Sequence, residues 1–353
     1  MKIMVLDYLS PKNHSDLYNK IIFTLSKKAK VEVIAEEGYY DLHSEGWEEI
    51  VLKEYKINKN EKNMILRKLK SFKSMLKTRS LIKGNKSNIK LVLTFDTVTF
   101  GIFNSLSKMD NVCLLHHKNI DELENNFKKT IFKTYMNKVN HLVFEEKFKE
   151  YLIRSIGIEE KRIYVIPHPS FTKKTERYDT STIDCIGLSN SNDEKFINAI
   201  IEYEKEHNFL KKNNLKVILR SKVYNYDNGF LKIISGFLPQ ADYDEYIKKC
   251  KIVFVPLPEN FKYRVSGVMF DAFSNNKIVI ANSTSFVRIY NKKYPNICIE
   301  LDSELDFFNK LYDTKNIEVD ENEFKKLQKN HNEKALLESF SKVIEGVLEN
   351  ESQ

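Results

Sequence analysis

The stretch FKYRVSGVMFDAFSNNKIVIA, residues 261–281, reads as loop, helix, loop and buried strand. Tyr263, Arg264, Ser266 and Gly267 come first. The apolar run Val268, Met269, Phe270, Ala272, Phe273 then places one acid, Asp271, a turn inside the helix. Asn275 and Asn276 end the helix, and Lys277 opens the strand IVIA. A Ser-Gly start leaves backbone N–H groups without intrahelical partners at the positive end of the helix dipole, which favours phosphate. An acid about four residues later can reach a sugar hydroxyl of the same ligand. The pattern suits a nucleoside diphosphate, although a Ser-capped amphipathic helix in any α/β domain shares its local features.

Outward from this stretch, strands and helices alternate along the chain. Apolar strand-like runs lie at 2–8, 31–36, 90–96, 111–117, 141–146 and 162–169, with helical patterns after 14, between 97 and 110, around 121–136 and at 147–156. A second series begins at IDCIGLS (183–189). It continues through a helix at 193–207, LKVILRS (215–221), LKIISGF (231–237), a helix at 241–250, KIVFVPLP (251–258), the helix 266–275, KIVIANS (277–283) and ICIEL (297–301). This alternation predicts parallel, doubly wound sheets. The break PHPSFTKKTERYDTST (167–182) reads as an interdomain linker, and KALLESFSKVIEGVLEN (334–350) as a final helix.

The bulk composition fits that layout. The chain has 353 residues, 42% hydrophobic and 30% charged, which is the balance of a globular protein with room for two domains. No apolar run approaches the roughly 18–20 residues of a membrane span. The start, MKIMVLDYLSPKNH, passes directly into a strand and lacks the form of a signal peptide. Cys113, Cys185, Cys250 and Cys298 are far apart in sequence, which predicts reduced core cysteines and a cytoplasmic protein. The one Asp-x-Asp, Asp242-Tyr243-Asp244, falls within the helical pattern at 241–250, and no His or Asp/Glu cluster has metal-ligand spacing, so neither a metal nor another cofactor is expected.

Arg264-Val265-Ser266-Gly267-Val268-Met269-Phe270-Asp271-Ala272, followed by a Lys-led apolar strand, resembles the nucleotide-binding segment of GT-B glycosyltransferases, especially the retaining family 4 (glycosyl transferases group 1). The resemblance implies two Rossmann-like, doubly wound parallel-sheet domains facing a central cleft. It sets an acceptor-side domain at 1–168, a linker at 169–182, a nucleotide-sugar domain at 183–335, and a helix at 336–353 crossing back to the first domain. In detail it is specific from about 231 to 281, and VIPHPS stands where the family has a strand ending like VIPNG.

The family's motif implies roles residue by residue. Ser266, Gly267, Val268 and Tyr263 would line the nucleotide, with Asp271 on the ribose. The family's first acid falls on Tyr263, so Tyr263-x7-Asp271 replaces Glu-x7-Glu, and Glu259 is the nearest substitute for the donor-sugar contact. The family's Arg at the end of the first strand of the second domain is missing from 187–192. Arg220, Lys222 and Arg264 are the alternative cations for the diphosphate, whose developing charge they would stabilise during transfer. The loop holding Gly236, Phe237 and Leu238 would receive the base. In the first domain His116 or His117, of which at most one is expected to be functional, would face the donor sugar, and Asp96 and His14 the acceptor.

Residues 56–90 hold twelve Lys/Arg and one acid, Glu61, a net of +11, whereas the whole chain is +8 and the remainder therefore −3. Within the segment Ile65, Leu66, Leu69, Phe72, Met75 and Leu76 read as one helical stripe flanked by Arg67, Lys68, Lys70, Lys73 and Lys77. A basic amphipathic helix over 62–83 suits an anionic membrane surface, while most charge runs are simply solvated helix faces. Aromatics are not interleaved with the charges, so nucleic acid is not an expected partner.

These readings converge on an enzyme that transfers a hexosyl or related sugar from a UDP-linked donor to a hydroxyl of a glycan or lipid-linked glycan. It would act in surface polysaccharide or glycoconjugate biosynthesis, with retention and without metal, at the inner face of the cell membrane. The missing acid and Arg leave two alternatives: an inactive GT-B partner subunit, and a sugar-nucleotide epimerase of the same fold.

Overall fold

The computed structural model describes residues 1–350 apart from 12–13, 42–45, 58–63, 108, 171–181, 237 and 318, and gives the backbone alone at 64–68. The chain divides into two units, Met1–Pro169 with Glu333–Gln353, and Ser170–Asn332. Most of the expected linker lies outside the described residues. Ser170, near the start of the expected linker, belongs to the second unit, with its N–H on the His331 carbonyl (2.9 Å) and its hydroxyl on that of Ser274 (2.9 Å).

The first unit holds seven parallel strands: β1 (Lys2–Asp7), β2 (Lys30–Glu36), β3 (Val51–Tyr55), β4 (Ile89–Thr94), β5 (Val112–Leu115), β6 (Asn140–Val143) and β7 (Ile163–Val165). Their order is β3-β2-β1-β4-β5-β6-β7. Helices α1 (Ser15–Ser26), α2 (Met64–Ile82), α3 (Thr97–Ser107), α4 (Asn126–Lys133) and α5 (Glu146–Tyr151) fill the crossovers. β1 and β5 are almost wholly buried, which is why they read as unbroken apolar runs rather than alternating ones. The order reverses at β1, so the carboxyl ends of β1 and β4 flank a switch point, where doubly wound sheets bind ligands.

The second unit repeats the plan with β8 (Ile183–Gly187), β9 (Val217–Ser221), β10 (Tyr226–Asp227), β11 (Leu231–Ser235), β12 (Cys250–Val255), β13 (Ile278–Asn282) and β14 (Cys298–Leu301), in the order β10-β11-β9-β8-β12-β13-β14. Every pairing is parallel except the β10–β11 hairpin. Its helices are α6 (Glu194–His207), α7 (Phe209–Lys212), α8 (Gln240–Lys249), α9 (Gly267–Ser274), α10 (Ser285–Lys293), α11 (Asp306–Lys315) and α12 (Glu321–His331). Gly187 ends β8 where a Cβ would stand 2.7 Å from Leu219 Cδ2 and 3.2 Å from the Phe254 carbonyl oxygen, so the neighbouring strands leave no room for a side chain.

The last helix, α13 (Glu333–Glu349), packs within the first unit. Lys27, just after α1, pairs with Glu333 at 2.6 Å, and a Cβ on Gly346 would meet the Tyr164 hydroxyl at 2.6 Å. The four cysteines are free thiols, all buried. No helix among the described residues is long and apolar enough to cross a membrane.

Three sequence expectations change. The helix around 121–136 is broken: a 3-10 turn covers Asp121–Glu124, and α4 starts afresh behind Asn125. Asn125 is extended (φ −77°, ψ 116°) and its side chain accepts the Lys128 N–H, so an N-cap replaces helix continuation. Strand β3 was not expected, because VLKEY is an edge strand with only Tyr55 buried. The stripe along 65–76 also divides. On a helical wheel those six residues span about 180°, too wide for one contact face. The helix seats on Ser74, Met75, Thr78 and Ile82, while Leu69 and Leu76 are exposed and Lys70 pairs with Glu36.

Candidate functional site

In the second unit β12 runs out at Val255, and residues 256–265 lead into α9. Asn282, at the end of β13, holds this connection from both sides: its Oδ1 accepts the Leu257 N–H (2.6 Å) and its Nδ2 donates to the Leu257 carbonyl (2.7 Å). Ser266 then caps α9 in an extended conformation (φ −91°, ψ 112°), its Oγ accepting the Met269 N–H at 3.4 Å. The Phe270 N–H goes to the Ser266 carbonyl, which leaves those of Gly267 and Val268 as the open donors of the first turn. Gly267 is exposed, and apart from its chain neighbours and its own helix backbone nothing lies within 4 Å of where its Cβ would be. A ligand oxygen therefore has clear approach to this helix end.

The side chains around this end are held in place. The Arg264 guanidinium lies over the Phe261 ring, 4.4 Å from its centroid, and donates from Nη2 to Asn260 Oδ1 (3.1 Å). Asp271 is half-buried and hydrogen-bonds the Tyr243 hydroxyl of α8. Burial first, and the Asp271 charge second, hold that phenol well above its ordinary range. Tyr263 is half-buried and Glu259 lies exposed on the preceding turn.

Beside them, the ends of β8, β9 and β11 are cross-tied. Asn192 donates from Nδ2 to the carbonyls of Gly187 and Arg220, both at 2.8 Å. Arg220 donates from Nε (3.0 Å) and Nη2 (2.6 Å) to the carbonyl of Gly236, which sits at φ +83°, a conformation glycine adopts without strain. Two of the five guanidinium donors thus fix the turn between β11 and α8. Lys222 is exposed, and its backbone N–H donates to Glu194 at the start of α6 (2.9 Å). Leu238 is half-buried, and Phe237 lies outside the described residues.

The first unit has its own polar assembly at the carboxyl ends of β1, β4 and β5. His14 and His117 meet, with ring centroids 5.2 Å apart, and Tyr18 Oη lies 3.2 Å from His117 Nε2. Burial, then the neighbouring His14, pushes the His117 imidazole down to about 3, and burial and Lys118 also lower His14, so both rings are neutral near pH 7. His116 points the other way. It is buried, stacks on His141 and shares a 2.9 Å Nε2–Nδ1 hydrogen bond with it, between Phe95 and Phe132. That makes His116 a core histidine, as expected for one of an adjacent pair. Asp96 accepts the N–H groups of Val98 (3.1 Å) and Thr99 (3.0 Å), and so caps α3.

Sequence reasoning missed Asp7, at the end of β1. Its carboxyl is fully buried and accepts from Ser10 N–H (3.0 Å), Tyr40 Oη (3.0 Å) and Thr94 Oγ1. Burial raises it to about 6 against the lowering effect of those hydrogen bonds. The signal lay in the sequence as an acid closing an otherwise apolar strand, but its partners come from residues 33 and 87 positions away. Asn192, Tyr243 and Asn282 were missed for the same reason.

No protein-family model matches the sequence, and no curated protein does. Solved structures do match over nearly the whole chain. The chain is similar to the apo form of the lipopolysaccharide outer core galactosyltransferase WaaB (15% identity, 98% of this chain and 99% of that one, TM-score 0.59). It is also similar to Anabaena HepE in complex with UDP-glucose (11%, 98% and 99%, 0.65). A third similar structure is sucrose-phosphate synthase from Thermosynechococcus elongatus (10%, 99% and 100%, 0.68). At such identities the likeness establishes the fold, which is GT-B.

Proposed function

We propose that the chain is a nucleotide-sugar glycosyltransferase that binds a UDP-linked donor at the start of α9. The observation that carries this reading is the Ser266-capped helix end. It leaves the Gly267 and Val268 N–H groups open, with Asp271 one turn along, at the carboxyl end of a parallel strand. The HepE structure with UDP-glucose supports the choice of donor. In this reading the diphosphate lies on the helix end, Arg264 and Lys222 add positive charge, and Asp271 accepts from the ribose. Catalysis is then chiefly electrostatic stabilisation of the leaving diphosphate, without metal. The diphosphate itself takes the acceptor hydroxyl's proton, so retention at the anomeric carbon is the proposed outcome. The proposed acceptor is a hydroxyl of a glycan or lipid-linked glycan on the cytoplasmic side, in surface glycoconjugate assembly.

One observation favours a second reading. Tyr263 stands where the resembled family has an acid, and the Glu259 carboxylate is exposed rather than built into the site. A donor-binding but inactive partner subunit would show this. Titration with UDP, followed by donor hydrolysis with a panel of UDP-sugars, separates the two. Binding with hydrolysis supports the enzyme, binding without hydrolysis of any donor supports the inactive subunit, and failure to bind UDP, with or without EDTA, overturns both.

A further inference from the structure

The outward face of α2 keeps apolar side chains among cations. Leu69 is 51% exposed and Leu76 40%, although the opposite face of the same helix buries Met75, Thr78 and Ile82. At about 100° per residue the two leucines lie within roughly 20° of each other, with Lys73 between them along the chain and Lys83 about two turns beyond Leu76, just past the helix end. Lys73, Lys77 and Lys83 are exposed. Among the described residues neither Lys73 nor Lys83 meets a carboxylate, whereas Lys70, on the side of the helix, pairs with Glu36. The neighbouring α3 is tied to α2 where Arg79 donates to the Leu106 carbonyl (3.0 Å), and it exposes Ile102 (42%) and Leu106 (46%), four residues apart on one face.

We infer that this α2–α3 face docks on an anionic lipid bilayer. The leucines and Ile102 would enter the headgroup boundary, and the lysines would meet the phosphates beside them, the arrangement that holds interfacial helices. Charge selects the occupant. The segment 56–90, which contains α2, carries +11 against −3 for the rest of the chain, and of its cations Lys73, Lys77 and Lys83 are exposed along the described part of α2 and just past its end. A second copy would bring the same cations against themselves in a two-fold contact, which disfavours a homodimer. The inference rests on this surface alone and stands apart from the proposed sugar transfer.

The test is co-sedimentation of the full chain with phosphatidylcholine vesicles, with and without phosphatidylglycerol. Two variants accompany it, Leu69→Ser with Leu76→Ser, and Lys73→Gln with Lys83→Gln. All four positions are solvent-exposed or half so, and UDP titration serves as a separate check that the fold is intact. The wild type binds the phosphatidylglycerol vesicles, added salt weakens that binding, and each double variant binds about tenfold more weakly. Three results overturn the inference: no binding by the wild type, equal binding by the variants, or a wild-type dimer in sedimentation velocity that the leucine variant abolishes.

Discussion

Arg220 grips the Gly236 carbonyl with two nitrogens, Nε at 3.0 Å and Nη2 at 2.6 Å. The sequence offers this residue as a phosphate cation, and its observed work is to fix the turn that leads from β11 into α8. Only the planar guanidinium presents two parallel donors to one oxygen, and a lysine keeps the charge without the fork. Arg220→Lys is therefore expected to weaken UDP binding about tenfold by loosening the turn, with a melting temperature within a few degrees of wild type. Calorimetric titration checks it. Unchanged affinity in Arg220→Lys with a large loss in Arg220→Ala would return the residue to a purely ionic role.

The Tyr243–Asp271 hydrogen bond makes a second prediction. A hydrogen bond to a charged partner is worth roughly 1.5–3 kcal/mol, and here it orients the carboxylate proposed for the ribose. Tyr243→Phe is expected to lower UDP affinity several-fold, and Asp271→Asn more, about tenfold or beyond. Both should leave the apo fold standing. A strongly destabilised Asp271→Asn whose UDP affinity matches wild type would mark Asp271 as a structural carboxylate.

Gly187 is tested by volume. A methyl group there meets the Phe254 backbone oxygen at 3.2 Å and Leu219 at 2.7 Å, and the backbone of a central strand cannot withdraw. Gly187→Ala should cost on the order of 1–3 kcal/mol in urea denaturation. Gly267→Ala, with nothing within 4 Å apart from its chain neighbours and its own helix backbone, should leave stability nearly unchanged and reduce UDP affinity if phosphate approaches there. Equal stability of the two variants would contradict the packing of β8.

These sites mark what the sequence could carry. Buried parallel strands are apolar along most of their length, so β1, β8, β12 and β13 were visible as runs. The capping Ser266 and the acid Asp271 sit within a few residues of one another, so α9 was visible as a motif. Edge strand β3 is half-charged and carries no such run. The break at Asn125 turns on one residue's backbone conformation, which helical periodicity does not register. The clamps made by Asn192 and Asn282 join residues brought together only by strand order. His116 and His117 show the limit clearly: the pair predicts that one faces inward, but only the sheet decides that His116 takes His141 while His117 takes Tyr18.

Asp7 and the buried histidines make the last prediction, because their protonation shifts oppose each other. His117 titrates at about 3 and His141 at about 4 in the folded state, both lowered chiefly by burial, against about 6.5 unfolded. As pH falls from 6.5 toward 3 the unfolded chain takes up these protons first, so stability drops. Asp7 acts in the other direction. Its folded value of about 6 lies above the unfolded 3.8, so the folded state takes up the proton first between pH 6 and 3.8, and stability rises as pH falls through that window. The difference corresponds to roughly 3 kcal/mol of opposing contribution. Asp7→Asn removes it. Urea midpoints at pH 7, 5 and 4 should therefore show Asp7→Asn losing more stability on acidification than wild type, whatever its offset at pH 7. Parallel pH profiles for the two proteins would mean that the buried carboxyl titrates near its unfolded value and that its hydrogen bonds from Ser10, Tyr40 and Thr94 offset the burial completely.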